Sequence, residues 1–171
     1  MNLTAAGAVD RAWALLEQVP DPEIPVVSIR ELGILREISE HDGAIEVVIT
    51  PTYSGCPAMG QIEDDIRAAM AAHGMAVNVV TRLAPAWTTD WISNAGKDKL
   101  RAFGIAPPHP VREPQQVMRF QAPRRHAAVD IACPNCGSAN TTETSHFGST
   151  ACKALYKCLA CLEPFDYFKP Y

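Results

Sequence analysis

Apolar residues Ala8, Val9, Ala12, Leu15, Leu16 and Val19 recur at the spacing of a helix face, and Pro20 and Pro22 end the pattern. Residues 8–19 are the first predicted helix. Asp21-Pro22-Glu23-Ile24-Pro25 is too rich in proline for regular structure. The apolar stretch that follows is interrupted by Gly33, which predicts an extended loop feeding a strand over 34–38. His41-Asp42-Gly43 supplies the positive φ of a tight hairpin, and Ile45, Val47 and Ile49 alternate behind it as a half-buried strand. After a loop over 51–55, Met59, Ile62, Ile66, Ala69 and Met70 mark a second helix that runs to about His73 and stops at Gly74. Residues 77–83 predict a third strand. Thr88 or Thr89 caps a last helix carrying Trp91, Ile92, Leu100 and Phe103, with Gly96 weakening its middle. The order αββαβα predicts an α+β fold, a layer of helices on a small sheet.

Composition then shifts. Pro107-Pro108-His109-Pro110 and Pro114 read as a linker, and Pro123-Arg124-Arg125-His126 leads into a cysteine-bearing segment. The expected organisation is an α+β domain over 1–105, a proline-rich linker over 106–128 and a small metal module over 129–171. The 171 residues, 47% hydrophobic and 20% charged, suit a globular chain of one domain plus an appendage. A formal net charge of -4 gives no general basic field, so neither nucleic acid nor anionic lipid is an expected partner. The first residues lack the pattern of a secretory leader, and no run of about 18 apolar residues occurs, so a cytoplasmic protein without a membrane segment is expected.

In a reducing cytosol, six cysteines point to metal ligation rather than to disulfides. Cys133-Pro134-Asn135-Cys136-Gly137 suits a tight turn that aims two thiolates at one ion, because Pro134 fixes φ and Gly137 accepts a left-handed conformation. Cys158-Leu159-Ala160-Cys161 supplies a second pair, and the twenty-one intervening residues match four-cysteine zinc spacing. Four thiolates close the coordination sphere, which favours structural zinc over a rubredoxin-like iron centre. So short a segment depends on its metal to fold. Its aromatic residues Tyr156, Phe165, Tyr167, Phe168 and Tyr171 are expected to form a small core and rim, not a base-stacking platform.

Cys56 stands before the second predicted helix, with Pro57 at its first turn. There the unpaired amides and helix dipole would favour a thiolate suited to metal, cluster or nucleophilic chemistry; a small buried hydrophobe is the alternative. Asp21 and Glu23 could bind a cation, cap a helix or be solvated. Cys152 could be a buried cysteine, a competing ligand or an exposed thiol. His41, His73, His109, His126 and His146 lack ligand spacing, and no residue completes a Cys-His dyad.

Three stretches, Asp21-Pro22-Glu23-Ile24-Pro25, Glu31-Leu32-Gly33-Ile34 and Thr52 through Gly55-Cys56-Pro57, resemble the SufT-like iron-sulfur assembly domain family. The resemblance covers roughly the first hundred residues, implies an αββαβ arrangement and implies that the Asp21/Glu23 loop lies near Cys56. Together with Pro85-Ala86-Trp87-Thr88-Thr89-Asp90-Trp91-Ile92, Gly104-Ile105-Ala106-Pro107-Pro108 and the cysteine ribbon, the whole chain is similar to the PaaD-type accessory subunits of bacterial phenylacetyl-CoA epoxidase.

That resemblance implies a non-catalytic role in aerobic phenylacetate breakdown. The chain would help to assemble the iron-sulfur centre of the reductase subunit or the di-iron centre of the catalytic subunit, with Cys56, and less centrally Asp21 and Glu23, handling iron or a transient cluster. A cluster held by one thiolate must be shared, which points to a homodimer or a small-thiol partner. The alternatives are a purely structural scaffold subunit of the oxygenase complex and a rubredoxin-like electron-transfer protein. No paired Glu-x-x-His helices and no glycine-rich phosphate loop are present, so the chain carries neither the di-iron site nor a nucleotide site itself.

Overall fold

A computed structural model describes residues 5–41, 43–109 and 131–171. Asp42 of the predicted turn and residues 110–128 of the predicted linker lie outside them. Contacts divide the chain into two compact units, with the division falling between Lys99 and Leu100.

The first unit has the predicted order. Helix α1 (Ala5–Leu16) precedes strands β1 (Leu35–His41) and β2 (Ala44–Ile49), helix α2 (Met59–Ala71), strand β3 (Val77–Thr81) and, across the division, helix α3 (Asn94–Ala102). α1 stops short of Val19 because its last turn tightens, with the Val19 amide donating to the Leu16 carbonyl at 3.2 Å ahead of Pro20. Ala12 and Leu16 are fully buried on its inner face. β1 and β2 form an antiparallel hairpin with Gly43 at φ 79, and β3 joins β2 in parallel after the α2 crossover, giving the order β1-β2-β3. α1 packs on β1 and β2, α2 packs on β3, and the helices touch each other. Ile62, Ile66 and Met70 are the buried face of α2, and Ile45, Val47 and Ile49 are buried along β2, as the sequence pattern requires.

Register places the loops. Leu35 pairs with Ile49, and the Thr50 amide donates to the Ile34 carbonyl at 2.9 Å. The chain entering β1 and the chain leaving β2 therefore meet at one end of the sheet.

The entering loop is built by side chains, since its prolines withhold amide donors. Buried Asp21 accepts from the amides of Glu23 and Ile24 at 2.9 and 2.8 Å, an Asx turn that folds the acidic segment on itself. Ser28 and Glu31 make a reciprocal box: the Ser28 hydroxyl accepts from the Glu31 amide at 3.2 Å and a Glu31 carboxylate oxygen accepts from the Ser28 amide at 2.9 Å. The other Glu31 oxygen pairs with Lys99 of α3 at 2.7 Å.

The last predicted helix is broken. Thr88 caps a single 3-10 turn over Thr89–Trp91, Ile92 is extended at ψ 123, and α3 starts only at Asn94. The break lets this segment close on the Glu31-Leu32-Gly33-Ile34 turn. The Ser93 amide donates to the Glu31 carbonyl at 2.9 Å and the Trp87 indole to the Leu32 carbonyl at 2.9 Å. Gly96 sits where a Cβ would come within 3.0 Å of the Glu31 carbonyl oxygen. Phe103, expected on the apolar face, is 52% exposed.

In the second unit, β4 (Ile105–Ala106), β5 (Thr141–Ser145), β6 (Lys153–Cys158) and β7 (Pro164–Phe168) form a sheet of order β4-β7-β6-β5. The expected boundary after residue 105 runs through β4, whose Ile105 and Ala106 pair in parallel with Asp166 and Tyr167. Two apolar residues after Gly104 are too short a pattern to announce a strand. Ala106, Ile131, Cys133, Cys158, Phe165 and Tyr167 form the core, with Tyr156 and Cys161 packed against it. Phe168 is buried and Tyr171 lies at the rim, as expected.

Gly33 is at φ +71, and a Cβ there would lie 2.6 Å from the Trp91 Cβ and 2.8 Å from its carbonyl oxygen. Gly33→Ala is expected to destabilise the first unit by about 2 kcal/mol or more, measured by denaturant unfolding followed through tryptophan fluorescence.

Candidate metal centres

The ribbon brings the four predicted sulfurs together. The Sγ atoms of Cys133, Cys136, Cys158 and Cys161 lie within 4.8 Å of one another, with Cys133 to Cys161 at 3.8 Å and Cys136 to Cys158 at 3.6 Å. Zinc–sulfur bonds of about 2.3 Å set the edge of a tetrahedron at about 3.8 Å, so the cluster fits a tetrahedral zinc ion. The first knuckle closes through the Gly137 amide on the Cys133 carbonyl at 2.8 Å, and the second through the Cys158 amide on the Glu163 carbonyl at 3.0 Å. In each, the residue after the second cysteine is left-handed, Gly137 at φ 75 and Leu162 at φ 67. Spacing alone does not reveal the second, because leucine is costly there by roughly 1–2 kcal/mol.

Backbone polarity tunes the sulfurs. The Cys161 and Ala160 amides point at the Cys158 sulfur at 3.5 and 3.4 Å, and with the Cys161 amide as the largest cause they pull this thiol down to about 6. At Cys161, the Glu163 amide lowers the pKa, but desolvation and the hydrogen bonds of Cys158, Cys136 and Cys133 outweigh it and push the thiol up to about 12. Four sulfurs this close cannot all ionise without a cation. Cys152 stands outside the cluster: it is buried and its sulfur lies 3.0 Å from the Thr150 hydroxyl. Of the three readings left open for it, the buried cysteine holds.

Cys56 lies at the other expected site, in the loop between β2 and α2, half-buried. Its amide donates to the Tyr53 carbonyl at 3.1 Å. Here the expectation of a thiolate fails. The helix begins at Met59 with Ala58 as its cap, so the amides of its first turn start beyond Cys56. Burial, foremost, raises the Cys56 pKa; Glu23 and Asp21 add to the rise through their charges and outweigh the lowering bonds from the Ala58 amide and the Thr52 side chain. The same observation places both carboxylates within electrostatic reach of the sulfur. The neighbouring Thr50 and Thr52 are buried polar residues that the hydrophobic pattern did not single out.

Chelation is expected to unfold the ribbon and leave the first unit intact, read as collapse of the second unit's amide resonances while those of β1 to β3 persist. Protons and zinc compete for the four thiolates, so zinc release, followed with a colorimetric chelator, is expected to rise as pH falls.

Two family models match the chain, the iron-sulfur cluster assembly protein model over residues 10–81 and the PaaD zinc beta ribbon domain model over residues 119–169. A protein of Escherichia coli (strain K12), provisionally named as a component of 1,2-phenylacetyl-CoA epoxidase, is 46% identical over 162 residues, which cover 94% of this chain and 92% of that protein. The Fe-S protein maturation auxiliary factor YitW of Bacillus subtilis (strain 168) is 34% identical over 87 residues, 48% of this chain and 82% of that factor. Among solved structures, a domain of unknown function, DUF59, from Bacillus anthracis aligns with a TM-score of 0.52 at 26% identity, covering 56% of this chain and 93% of the other. Among the described residues, no helix is long and apolar enough to cross a membrane. With an iron-sulfur assembly domain followed by a four-cysteine ribbon, matched over nearly its whole length, the chain belongs to the PaaD family of phenylacetyl-CoA epoxidase components.

Proposed function

We propose that this chain is a cytoplasmic, non-catalytic accessory subunit of a phenylacetyl-CoA epoxidase complex in aerobic phenylacetate breakdown. It helps to load an iron-sulfur or di-iron centre into a partner subunit, foremost the iron-sulfur reductase. Cys56 handles the iron or cluster and Glu23 and Asp21 favour its approach, while the zinc ribbon serves as a docking module. What supports this reading is a half-buried thiol that feels the charges of Glu23 and Asp21, all within the stretch that matches the iron-sulfur cluster assembly model.

The chemistry follows from charge. Burial foremost, with the charges of Glu23 and Asp21 adding to it, keeps Cys56 a thiol at neutral pH, which limits wasteful oxidation or disulfide formation. A cation entering beside Glu23 reverses the balance: the S–H bond breaks, a metal–sulfur bond forms and one proton leaves for solvent. Asp21 already spends one oxygen on its Asx turn, so it acts by holding the loop as well as by charge. Release to the client runs the exchange backwards, with the client's ligands replacing Cys56.

Cys56→Ser is expected to keep its zinc but to bind iron at least about tenfold more weakly under anaerobic conditions. When it is co-expressed with the epoxidase subunits, the reductase's iron and sulfide content is expected to drop. Full cluster content with Cys56→Ser would leave the chain a scaffold. Glu23→Gln removes a raising charge, so its Cys56 is expected to be alkylated faster than the wild-type thiol near pH 8, with the pH–rate profile shifted down.

A further inference from the structure

The edges of the two sheets are treated unequally. β1, at one edge of the first sheet, carries Arg36, Glu37 and Glu40 and is bulged between Leu35 and Glu37. In the second sheet, β5 carries Glu143 and an irregularity between Glu143 and Ser145, and β4 is only two residues long. Charge, bulges and brevity are the devices that keep an edge from pairing with another chain. The remaining edge, β3, has none of them: Val77-Asn78-Val79-Val80-Thr81 carries no charge and no proline and pairs with β2 without a bulge. Its three valines are only half-buried.

The ladder with β2 shows which groups face outward. The Ala76 carbonyl accepts from the Ile45 amide at 2.9 Å, and the Arg82 amide donates to the Ile49 carbonyl at 2.8 Å. In a parallel pair alternate residues bond to the same neighbour, so even-numbered residues serve β2. Val77, Val79 and Thr81 therefore turn their amides and carbonyls to the other side, where no strand among the described residues pairs with them. What satisfies such a row is a further extended segment.

The residue order selects that segment. Laid antiparallel on itself about Val79, β3 sets Val79 opposite Val79, Val77 opposite Thr81 and Asn78 opposite Val80. Every outward-bonding residue then meets another, β-branched side chains oppose one another, and no like charges are brought together. Continued past the strand, the same register sets Leu83 toward Met75 of the other copy. Leu83 is 59% exposed, the one large apolar side chain so exposed among the described residues of the first unit.

We propose that β3 is a self-pairing edge: two copies of this chain join β3 to β3 antiparallel about Val79, giving one continuous sheet in the order β1-β2-β3-β3-β2-β1. A two-fold axis at Val79 reverses the strands of the second copy. The Cys56 loop follows β2, so the two Cys56 loops lie at opposite ends of the joined sheet and neither thiol completes the other's site. On the loading role proposed above, a cluster on Cys56 then draws its remaining ligands from a small thiol or the client.

The test is sedimentation and amide hydrogen exchange of the full chain over a concentration series. Wild type is expected to form a dimer in which the Val77, Val79 and Thr81 amides exchange at least about tenfold more slowly than in the dissociated chain. Val79→Pro removes an amide that β2 does not use, and Val79→Lys sets two ammonium groups face to face. Each is expected to weaken the dimer at least about tenfold while the β2 amides stay protected. Val79→Pro is also expected to bind as much iron per chain as wild type under anaerobic conditions. A wild type that stays monomeric overturns the proposal, and loss of copurifying epoxidase subunits by Val79→Pro would then give the edge to a partner's strand. Fast exchange of the three amides in a wild-type dimer overturns it too, because the interface then lies elsewhere. Iron lost on conversion to monomer overturns the independence of the two thiols. If neither wild type nor variant binds iron, the loading role fails while the paired edge stands on the exchange data.

Discussion

Negative charge gathered at sulfur must be answered by a proton or a metal, and both candidate sites are built around that constraint. In the ribbon, four cysteine sulfurs within 4.8 Å of one another cannot all be thiolates unless a cation sits among them. At Cys56, burial foremost and the charges of Glu23 and Asp21 keep the proton on the sulfur. The first arrangement calls for a bound metal; in the proposed loading role, the second holds one only as an exchangeable guest, because the resting thiol is neutral until a cation arrives.

The geometry of the second site comes from sheet register and not from any local motif. Pairing of Leu35 with Ile49 brings the loop before β1 and the loop after β2 to one end of the sheet. Asp21 then folds its own segment through two amides, so Glu23 is held on a short, proline-stiffened turn. The next turn is fastened by the Ser28/Glu31 box, by Lys99 and by the Trp91 segment that closes over Gly33. A cation-handling thiol needs such support, because a ligand set displaced by even an ångström loses much of its affinity.

The ribbon combines a small apolar core with a cluster of four sulfurs. Its core, Phe165, Tyr167 and Ile131 with the buried cysteines, supplies apolar contact, and its metal cluster supplies the rest of the stability that so small a unit lacks. One knuckle is conformationally relaxed and polar at its tip. The other carries two exposed leucines, Leu159 and Leu162, the latter at φ 67, a strain that persists where the surrounding structure holds it.

Sequence alone determined the parts of this protein that rest on local chemistry. The helix and strand periods marked αββαβ, because burial of one face imposes them. The cysteine spacing marked the metal cluster, because two tight turns at that separation can aim four thiolates at one point. Family resemblance, not periodicity, suggested that Asp21 and Glu23 lie near Cys56. The structure decided what depends on distant contacts. The Cys56 proton follows from burial and from carboxylates more than thirty positions away, which outweigh the local helix-start signal. The break after Trp91 follows from the Gly33 turn that the segment must meet. Strand β4 exists only because β7 offers it an edge, and the strained leucine of the second knuckle appears only when the backbone is traced through Leu162. Long-range charge, register and backbone strain leave no periodic trace along a chain, so only the folded molecule discloses them.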